Sequence, residues 1–491
     1  MQSRRKMNIK KALNERSIFY LTLLLGFIIL LIPITLRELK YDSILIGETP
    51  YYHQRVSHDI MNGDITSRDN MISGTREYLP NPYHFLLAGF GKLFGSNFAS
   101  KLLPFLLGIL TLSFFFILLS EHNLRLFQKM PILLLFILSP VFIYYFTISN
   151  EYSLLIFLNI LGLFFFNKKN KSFLIAVLLY LLIPLFGAID ALVSILILFN
   201  FVKIKRIALR KFLIVLSLIL IVHLIYYAPF YFKNGFGDFP AFDKESILKK
   251  NISELGSSAG FSTFALILAF LGIIFTWNHK KKIYFFYISL FLLIILSSYF
   301  QYLEIYLVFL FSALAGIGFY ELTRIKWEIK LIRELSILAI ILGILFSSVS
   351  YINRIVDSKP DNGIIDGLLW LKYNSNEEDV VFSHYSRGFW IEDIAKRKVV
   401  MDGLLRYTPN LYERYEDSNN LFYNRSLKET KKLLNKYNIS YIWIDNEMKE
   451  GLVWTKEKQG LLFSLRNKEI FKNIYSKEGV EIWRYTGEAN D

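Results

Sequence analysis

The chain has 491 residues, 54% of them hydrophobic and only 20% charged, with 45 Phe and 30 Tyr; its mean hydropathy is +0.38. This excludes a water-soluble enzyme and a disordered chain and leaves a polytopic membrane protein. Cysteine is absent, which removes disulfide frameworks, thiolate metal sites and Cys nucleophiles. The net charge of +15 reads as cytoplasmic Lys and Arg orienting the chain, not as a nucleic-acid surface, because no basic–aromatic module accompanies it.

A spanning helix needs about 20 mostly apolar residues. In chain order the candidates are 18–36, 101–120, 131–148, 151–167, 172–187, 189–202, 212–231, 259–277, 283–299, 303–321 and 334–351. The loops of this series alternate between basic and uncharged-or-acidic. Arg4, Arg5 and Lys6, then Arg125 and Lys129, Lys168, Lys169 and Lys171, Lys203 to Lys211, Lys280 to Lys282, and Arg324 to Arg333 share one side, whereas 148–151, 188–190 and 300–302 contain no Lys or Arg. The alternation holds only if the Gly-broken stretch 82–98 lies flat as an interfacial helix. The expectation is therefore eleven spans, an N-terminus inside and a C-terminus outside, in an integral protein of the plasma membrane. Residues 1–351 form the membrane module, with outer loops 37–100 and 232–258. Residues 352–491 read as a soluble α/β domain on the outer face, from helix-like runs at Gly367–Leu371 and Leu427–Tyr437 and strand-like runs at Val380, Lys398, Tyr441 and Val480.

The first outer loop is dense in polar groups, among them Arg37, Asp42, Glu48, His53, Arg55, His58 and Asp69. Glu151, in Ser149-Asn150-Glu151-Tyr152, sits at the edge of hydrocarbon, where a carboxylate is costly and marks a candidate site. It also reads as a helix-start acid behind an Asn150 N-cap. Two outer carboxylates on separate elements, Glu48 and Glu151, suit a divalent cation bound through oxygen, which would stabilise a phosphate leaving group. Glu254, Asp190 and Glu304 lie on other outer segments, and His223 lies within a span. Gly-rich phosphate loops, His-Glu-x-x-His and nucleophile elbows are missing from the sequence.

The order of these pieces resembles the GT-C class of membrane glycosyltransferases, which use polyprenyl-phosphate-linked donors. It is most similar to the catalytic subunit of oligosaccharyltransferase in its single-subunit archaeal form. Gly47-Glu48-Thr49-Pro50-Tyr51-Tyr52-His53-Gln54-Arg55 resembles that family's first acidic motif, Asn81-Pro82-Tyr83-His84 its interfacial helix, Ser149-Asn150-Glu151 its second acidic motif, and Ile252-Ser253-Glu254 the Glu-bearing element of its outer loop. His384-Tyr385-Ser386-Arg387-Gly388 stands where the family has Trp-Trp-Asp-Tyr-Gly, keeping the Gly and losing both Trp and the Asp.

The resemblance implies transfer of a sugar or glycan from a polyprenyl-phosphate-linked donor to an acceptor outside the membrane, either protein asparagine or a glycan. It implies Glu48 as metal ligand and catalytic base, Glu151 as second catalytic ligand, Glu254 as a loop-borne ligand that also meets the acceptor, and His53 as an alternative ligand. The metal would be Mn²⁺ or Mg²⁺. Arg55 and Arg37 would meet the donor phosphate, and His384, Tyr385, Ser386 and Arg387 the acceptor, with Arg387 suiting a phosphate or an acidic sugar. The rival readings are a transporter or flippase, which would show paired repeats and broken mid-membrane helices, and a non-catalytic scaffold. The topology has a direct test. A reporter fused after Lys282 should be cytoplasmic and one fused after Asp491 external; the same side for both would break the eleven-span arrangement.

Overall fold

The structure, a computed structural model, describes residues 2–41, 44–65, 68–121, 124–168, 171–235, 247–456 and 459–487, with the backbone alone for 2–14, 234 and 282. Asp42, Lys169 and 236–246 of the expected outer loop 232–258 lie outside the described residues.

Long apolar runs become helices. They are α1 (Gln2–Tyr41), α4 (Ser96–Ser120), α5 (Leu126–Ile137), α6 (Pro140–Thr147), α7 (Glu151–Phe166), α8 (Lys171–Leu182), α9 (Ala188–Lys205) and α10 (Leu209–Asn234). After the short α11 (Ile247–Asn251) follow α12 (Thr263–Thr276), α13 (Lys280–Tyr299), α14 (Glu304–Arg324) and α15 (Lys330–Val356). Among the described residues five helices are long and apolar enough to cross a membrane, or six if the bent pair α5–α6 counts as one. The apolar helices 151–166, 171–185, 263–279 and 283–299 are shorter, so helix length supports fewer spans than the eleven expected. The stretch 131–148 is not one helix. It bends by 57° between α5 and α6, where Pro140 has no N–H to donate and pushes Ser139 out of helical geometry. The Ser348 hydroxyl takes up the freed Leu138 carbonyl. Helices α12 and α14 pack backbone to backbone: a Cβ on Gly272 would lie 2.0 Å from the Leu314 carbonyl oxygen, and one on Gly318 2.2 Å from that of Leu268, the small-residue contact by which apolar helices associate in lipid.

Between α1 and α4 the chain forms α2 (Thr49–Met61), the two-residue strands β1 (Arg68–Asp69) and β2 (Arg76–Glu77), and α3 (Pro82–Phe94). With 13 residues, α3 is about 20 Å long, too short to cross about 30 Å of hydrocarbon. Gly95, at φ 85°, separates it from α4.

The tail runs through α16 (Asn362–Asn374), β3 (Val380–Phe382), α17 (Gly388–Trp390), β4 (Lys398–Val399), α18 (Leu411–Tyr423), α19 (Leu427–Lys436), β5 (Ile439–Ile444), α20 (Leu461–Ser464), β6 (Phe471–Lys477) and β7 (Val480–Tyr485). The strands form one sheet in the order β4-β3-β5-β7-β6, parallel from β4 to β5 and antiparallel thereafter. Its apolar core also takes in Leu45 and Tyr51 from the segment between α1 and α4. That loop extends the sheet at its β4 edge: Val399 N–H donates to the Met71 carbonyl and Ser73 N–H to that of Val399, both at 2.8 Å.

Buried charge completes the joint. Arg55 makes a two-pronged pair with Asp69 at 2.9 and 2.8 Å, and Arg76 donates to Asp69 at 2.7 Å and to Asp402 at 2.7 and 2.6 Å. Glu392 lies 3.2 Å from Arg55. Burial and the nearby Asp402 raise the Glu392 pKa well above its usual value, Arg55 notwithstanding. Burial would also raise Asp69, but Arg55 and Arg76 outweigh it and hold Asp69 low. Two cations thus face two anions and one neutral acid. Removing one member leaves a buried charge uncompensated, at a cost of about 3–5 kcal/mol. Asp402→Asn should therefore lower the thermal midpoint of the detergent-solubilised protein far more than Lys398→Ala, which breaks the exposed Lys398–Glu378 pair worth about 0–1 kcal/mol. Equal losses would mean that the network does not hold the two parts together.

Candidate active site

Glu48 precedes α2. Pro50 in the first turn fixes φ and lacks an N–H that the helix start would leave unpaired. The preceding Gly47 has φ 79°, the left-handed region that favours glycine. Its N–H donates to the Lys359 carbonyl at 2.9 Å, and its carbonyl accepts from Trp390 Nε1 at 3.1 Å. The tail therefore pins the Glu48 loop. Glu48 is half-buried, but its Oε2 is enclosed with no hydrogen-bond partner. Burial, opposed by Arg387 and assisted by Asp402, pushes its pKa up to about 7.

Glu151 begins α7 and is held from both sides. Asn150 caps the helix, accepting from Ser153 N–H at 3.0 Å, and the Asn81 amide, at the start of α3, donates to the Glu151 carboxylate. Tyr83 joins α3 to the same turn through Ser149 Oγ at 2.7 Å. The two acidic motifs flank a cavity of about 20 Å³ lined by Ile46 and Pro50 on one side and Thr147 and Ser149 on the other. Tyr52 feels the Glu151 charge, and Tyr144 feels both Glu48 and Glu304.

Two further carboxylates end their helices here. Asp190 in α9 is buried, and its Oδ1 has no hydrogen-bond partner. Glu304 in α14 accepts from Gly260 N–H at 3.1 Å. Tyr152 stacks on Tyr302 at 4.4 Å between them. One tail cation reaches this group: Arg406 acts on Asp190 and on Tyr302, from a loop whose Tyr407 packs edge-on against Phe230 at 4.8 Å. Arg406 escaped the sequence reading. The signal was its place just beyond the C-terminal end of β4, where α/β sheets present ligand-binding groups.

Several expected contacts are otherwise engaged. Arg37 is 1% exposed and donates to the carbonyls of Ile44, Leu45, Val356, Ser358 and Pro360; it ties the outer end of α1 to the chain entering the tail. Arg55 belongs to the buried ion network. Both are therefore spent on the fold rather than offered to a phosphate. His53 lies 3% exposed with Nδ1 2.9 Å from His84 Nε2. The Asn81 N–H donates to His84 Nδ1 at 3.2 Å, so neutral His84 carries its proton on Nε2 and donates to His53 Nδ1. Burial pushes the His53 pKa down to about 3, and neutral His53 then carries its own proton on Nε2. No ring lone pair is left to ligate a metal.

Glu254 is exposed and takes the N–H and hydroxyl of Thr263, both at 3.1 Å. Its loop is fastened by Arg354, which donates to the Ser253 and Ser257 carbonyls at 2.8 and 2.7 Å. Among the described residues no three His, Asp or Glu side chains are grouped to hold a metal ion. Glu48, Glu151, Glu254 and His53 form no such group of three among the described residues.

His384 Nδ1 lies 2.7 Å from Ser386 Oγ, and burial, with Arg387 nearby, pushes its pKa down to about 4. Arg387 pairs with Asp445 at 2.7 Å and with Glu447, and lies 4.9 Å over the Trp390 ring. Its charge is met inside the protein, which counts against an acidic ligand here. His384 and Tyr385 line a cavity of about 130 Å³ against α18.

No protein-family profile matches the chain, and no curated protein matches its sequence. Solved structures share its fold. The oligosaccharyltransferase of Archaeoglobus fulgidus in its apo form aligns with a TM-score of 0.58 at 15% identity, over 96% of this chain and 75% of that one. The arabinofuranosyltransferase AftD from Mycobacteria gives 0.60 at 13%, over 97% of this chain and 40% of that one. ArnT from Cupriavidus metallidurans gives 0.57 at 9%, over 96% and 98%. At such identities the likeness shows the fold: it is that of the GT-C membrane glycosyltransferases, similar to the archaeal oligosaccharyltransferase.

Proposed function

We propose that the protein is a membrane glycosyltransferase that moves a sugar or glycan from a polyprenyl-phosphate-linked donor to an acceptor on the outer side, with its N-terminus cytoplasmic and its tail external. The observation that carries this is Glu48: a carboxylate with one enclosed, partnerless oxygen and a pKa of about 7, in a motif whose Pro50 lines the same small cavity as Ser149 of the Glu151 motif. A group that titrates near neutrality is well matched to general-base work. The structural neighbours lend support. The Archaeoglobus oligosaccharyltransferase has been solved with an inhibitory peptide and a dolichol-phosphate, and ArnT bound to undecaprenyl phosphate.

In this reading Glu48 accepts the proton of the acceptor nucleophile as that atom bonds to the donor's anomeric carbon. The bond from that carbon to the phosphate oxygen breaks, and the carrier leaves with its negative charge. Arg406, not Arg37 or Arg55, meets that charge. Glu151, fixed by Asn81 and by its place at the head of α7, orients the acceptor. A zinc- and sulfate-bound form of the Archaeoglobus enzyme has been solved; the steps above are those of this chain's own side chains.

Activity should follow the Glu48 proton. In an assay with purified protein and extracted lipid-linked glycans, kcat/KM should rise with pH through about 7 and then level off. Glu48→Gln should lose about 10²–10⁴ in kcat and lose that rising limb as well. A variant that keeps both would remove Glu48 from the chemistry. Arg406→Ala should raise KM for the donor, with partial recovery in Arg406→Lys; an unchanged donor KM would place the phosphate elsewhere.

A further inference from the structure

The cavity of about 130 Å³ in the tail is separate from the one beside Glu48 and Glu151. We propose that it binds an uncharged sugar ring of a glycan acceptor. The inference deepens the transferase reading and rests on it for the fate of the bound sugar.

The lining is the argument. Tyr415, Ser418, Asn419 and Tyr423 of α18 present one side, the 415, 419 and 423 positions falling four apart on one helix face. His384 and Tyr385 present another. Among the described residues no Lys, Arg, Asp or Glu lines the space, and the low pKa of His384 leaves it neutral. Arg387 is two residues beyond Tyr385, but Asp445 and Glu447 hold it. A phosphate, carboxylate or ammonium group would enter without a counter-charge. A purely apolar ligand would strip water from hydroxyl and amide groups and return nothing. Two of the lining hydroxyls are lightly held: Ser418 Oγ donates to the Met401 sulfur at 3.6 Å, and the Tyr423 hydroxyl donates to the Val453 carbonyl at 2.9 Å, which leaves its oxygen able to accept. Aromatic faces, hydroxyls and one carboxamide around a neutral space match the two surfaces of a sugar ring, its C–H face and its hydroxyl edge. At about 130 Å³ the cavity is slightly smaller than one of about 150 Å³ that encloses benzene, so it would take one face of a single sugar ring and leave the rest of the chain outside.

The segment that lines this cavity also touches the reaction centre. His384 and Tyr385 face the cavity, Arg387 acts on Glu48, and Trp390 holds the Gly47 carbonyl. An acceptor held by one sugar in the cavity is thereby tied to the position of the proposed base, and this is how remote binding energy serves a transfer step.

The test is saturation-transfer NMR on the purified full-length protein. The probes are the methyl glycosides of glucose, galactose and mannose, with glucuronic acid, glucose 1-phosphate and an Asn-x-Thr peptide for comparison. At least one neutral glycoside should bind, with Kd raised about tenfold or more in Asn419→Leu and in Tyr385→Ala, while the thermal midpoint of each variant stays near that of wild type. Asn419→Gln should restore part of the affinity. Glu48→Gln should bind the glycoside as wild type does while losing transfer. Binding through Asn419 by a protein that transfers nothing would keep the sugar site and discard the transferase reading. Binding by none of the neutral glycosides, binding indifferent to Asn419, or preference for the charged sugars or the peptide would each overturn the inference.

Discussion

The buried ion network between the first outer loop and the tail is the constraint on which the rest depends. Arg55, Asp69 and Arg76 come from the loop, and Glu392 and Asp402 come from the tail. Charges this deep are tolerated only because each has a partner. Once formed, the network fixes where β4 ends, and with it the loop that carries Arg406. It also fixes where α17 lies, and so where Trp390 meets the Glu48 loop. The backbone ladder between Met71, Ser73 and Val399 repeats the same joint in neutral form. Arg37 makes a third connection from the end of α1. The proposed base is thus held by the tail even though it belongs to the membrane module.

This arrangement explains why cations that look available in the sequence are not. In a low-dielectric interface an Arg is most valuable where five donors can all be used at once. Arg37 spends its donors on five carbonyls, and Arg55 spends its own on two carboxylates. The carboxylates are treated in the opposite way. Glu48 and Asp190 each keep an enclosed oxygen without a partner. A buried polar atom left unpaired is costly, and such atoms gather where a proton or a ligand is to be handled.

Much of this was readable in the chain. The apolar runs, the strands at Val380, Tyr441 and Val480, and the Asn150 cap on α7 all follow from local pattern. The break at Pro140 was readable as well, since the residue before a proline leaves helical geometry, yet the unbroken apolar composition of 131–148 masked it. Strand β6 was hidden because Phe471–Lys477 is polar at most positions and owes its conformation to pairing with β7. The partners of Arg37, Arg55 and Arg76 were out of reach for a different reason. They lie more than 300 residues away in several cases, and no local rule selects one carboxylate among the 41 in the chain. The fate of His53 depended on a single backbone N–H that fixes the tautomer of His84. Clustered acids mark a site in such a sequence; only the fold tells which basic groups are committed elsewhere.

The central claim is that Glu48 holds a proton below neutrality and gives it up near pH 7. Infrared difference spectroscopy on the purified protein, titrated from pH 5 to pH 9 against Glu48→Gln, reads that proton directly. The account predicts that the spectrum, taken as wild type minus variant, shows a protonated-carboxyl component that disappears with a midpoint near 7. A band lost near the ordinary carboxylate value, or one that persists unchanged in Glu48→Gln, would contradict it.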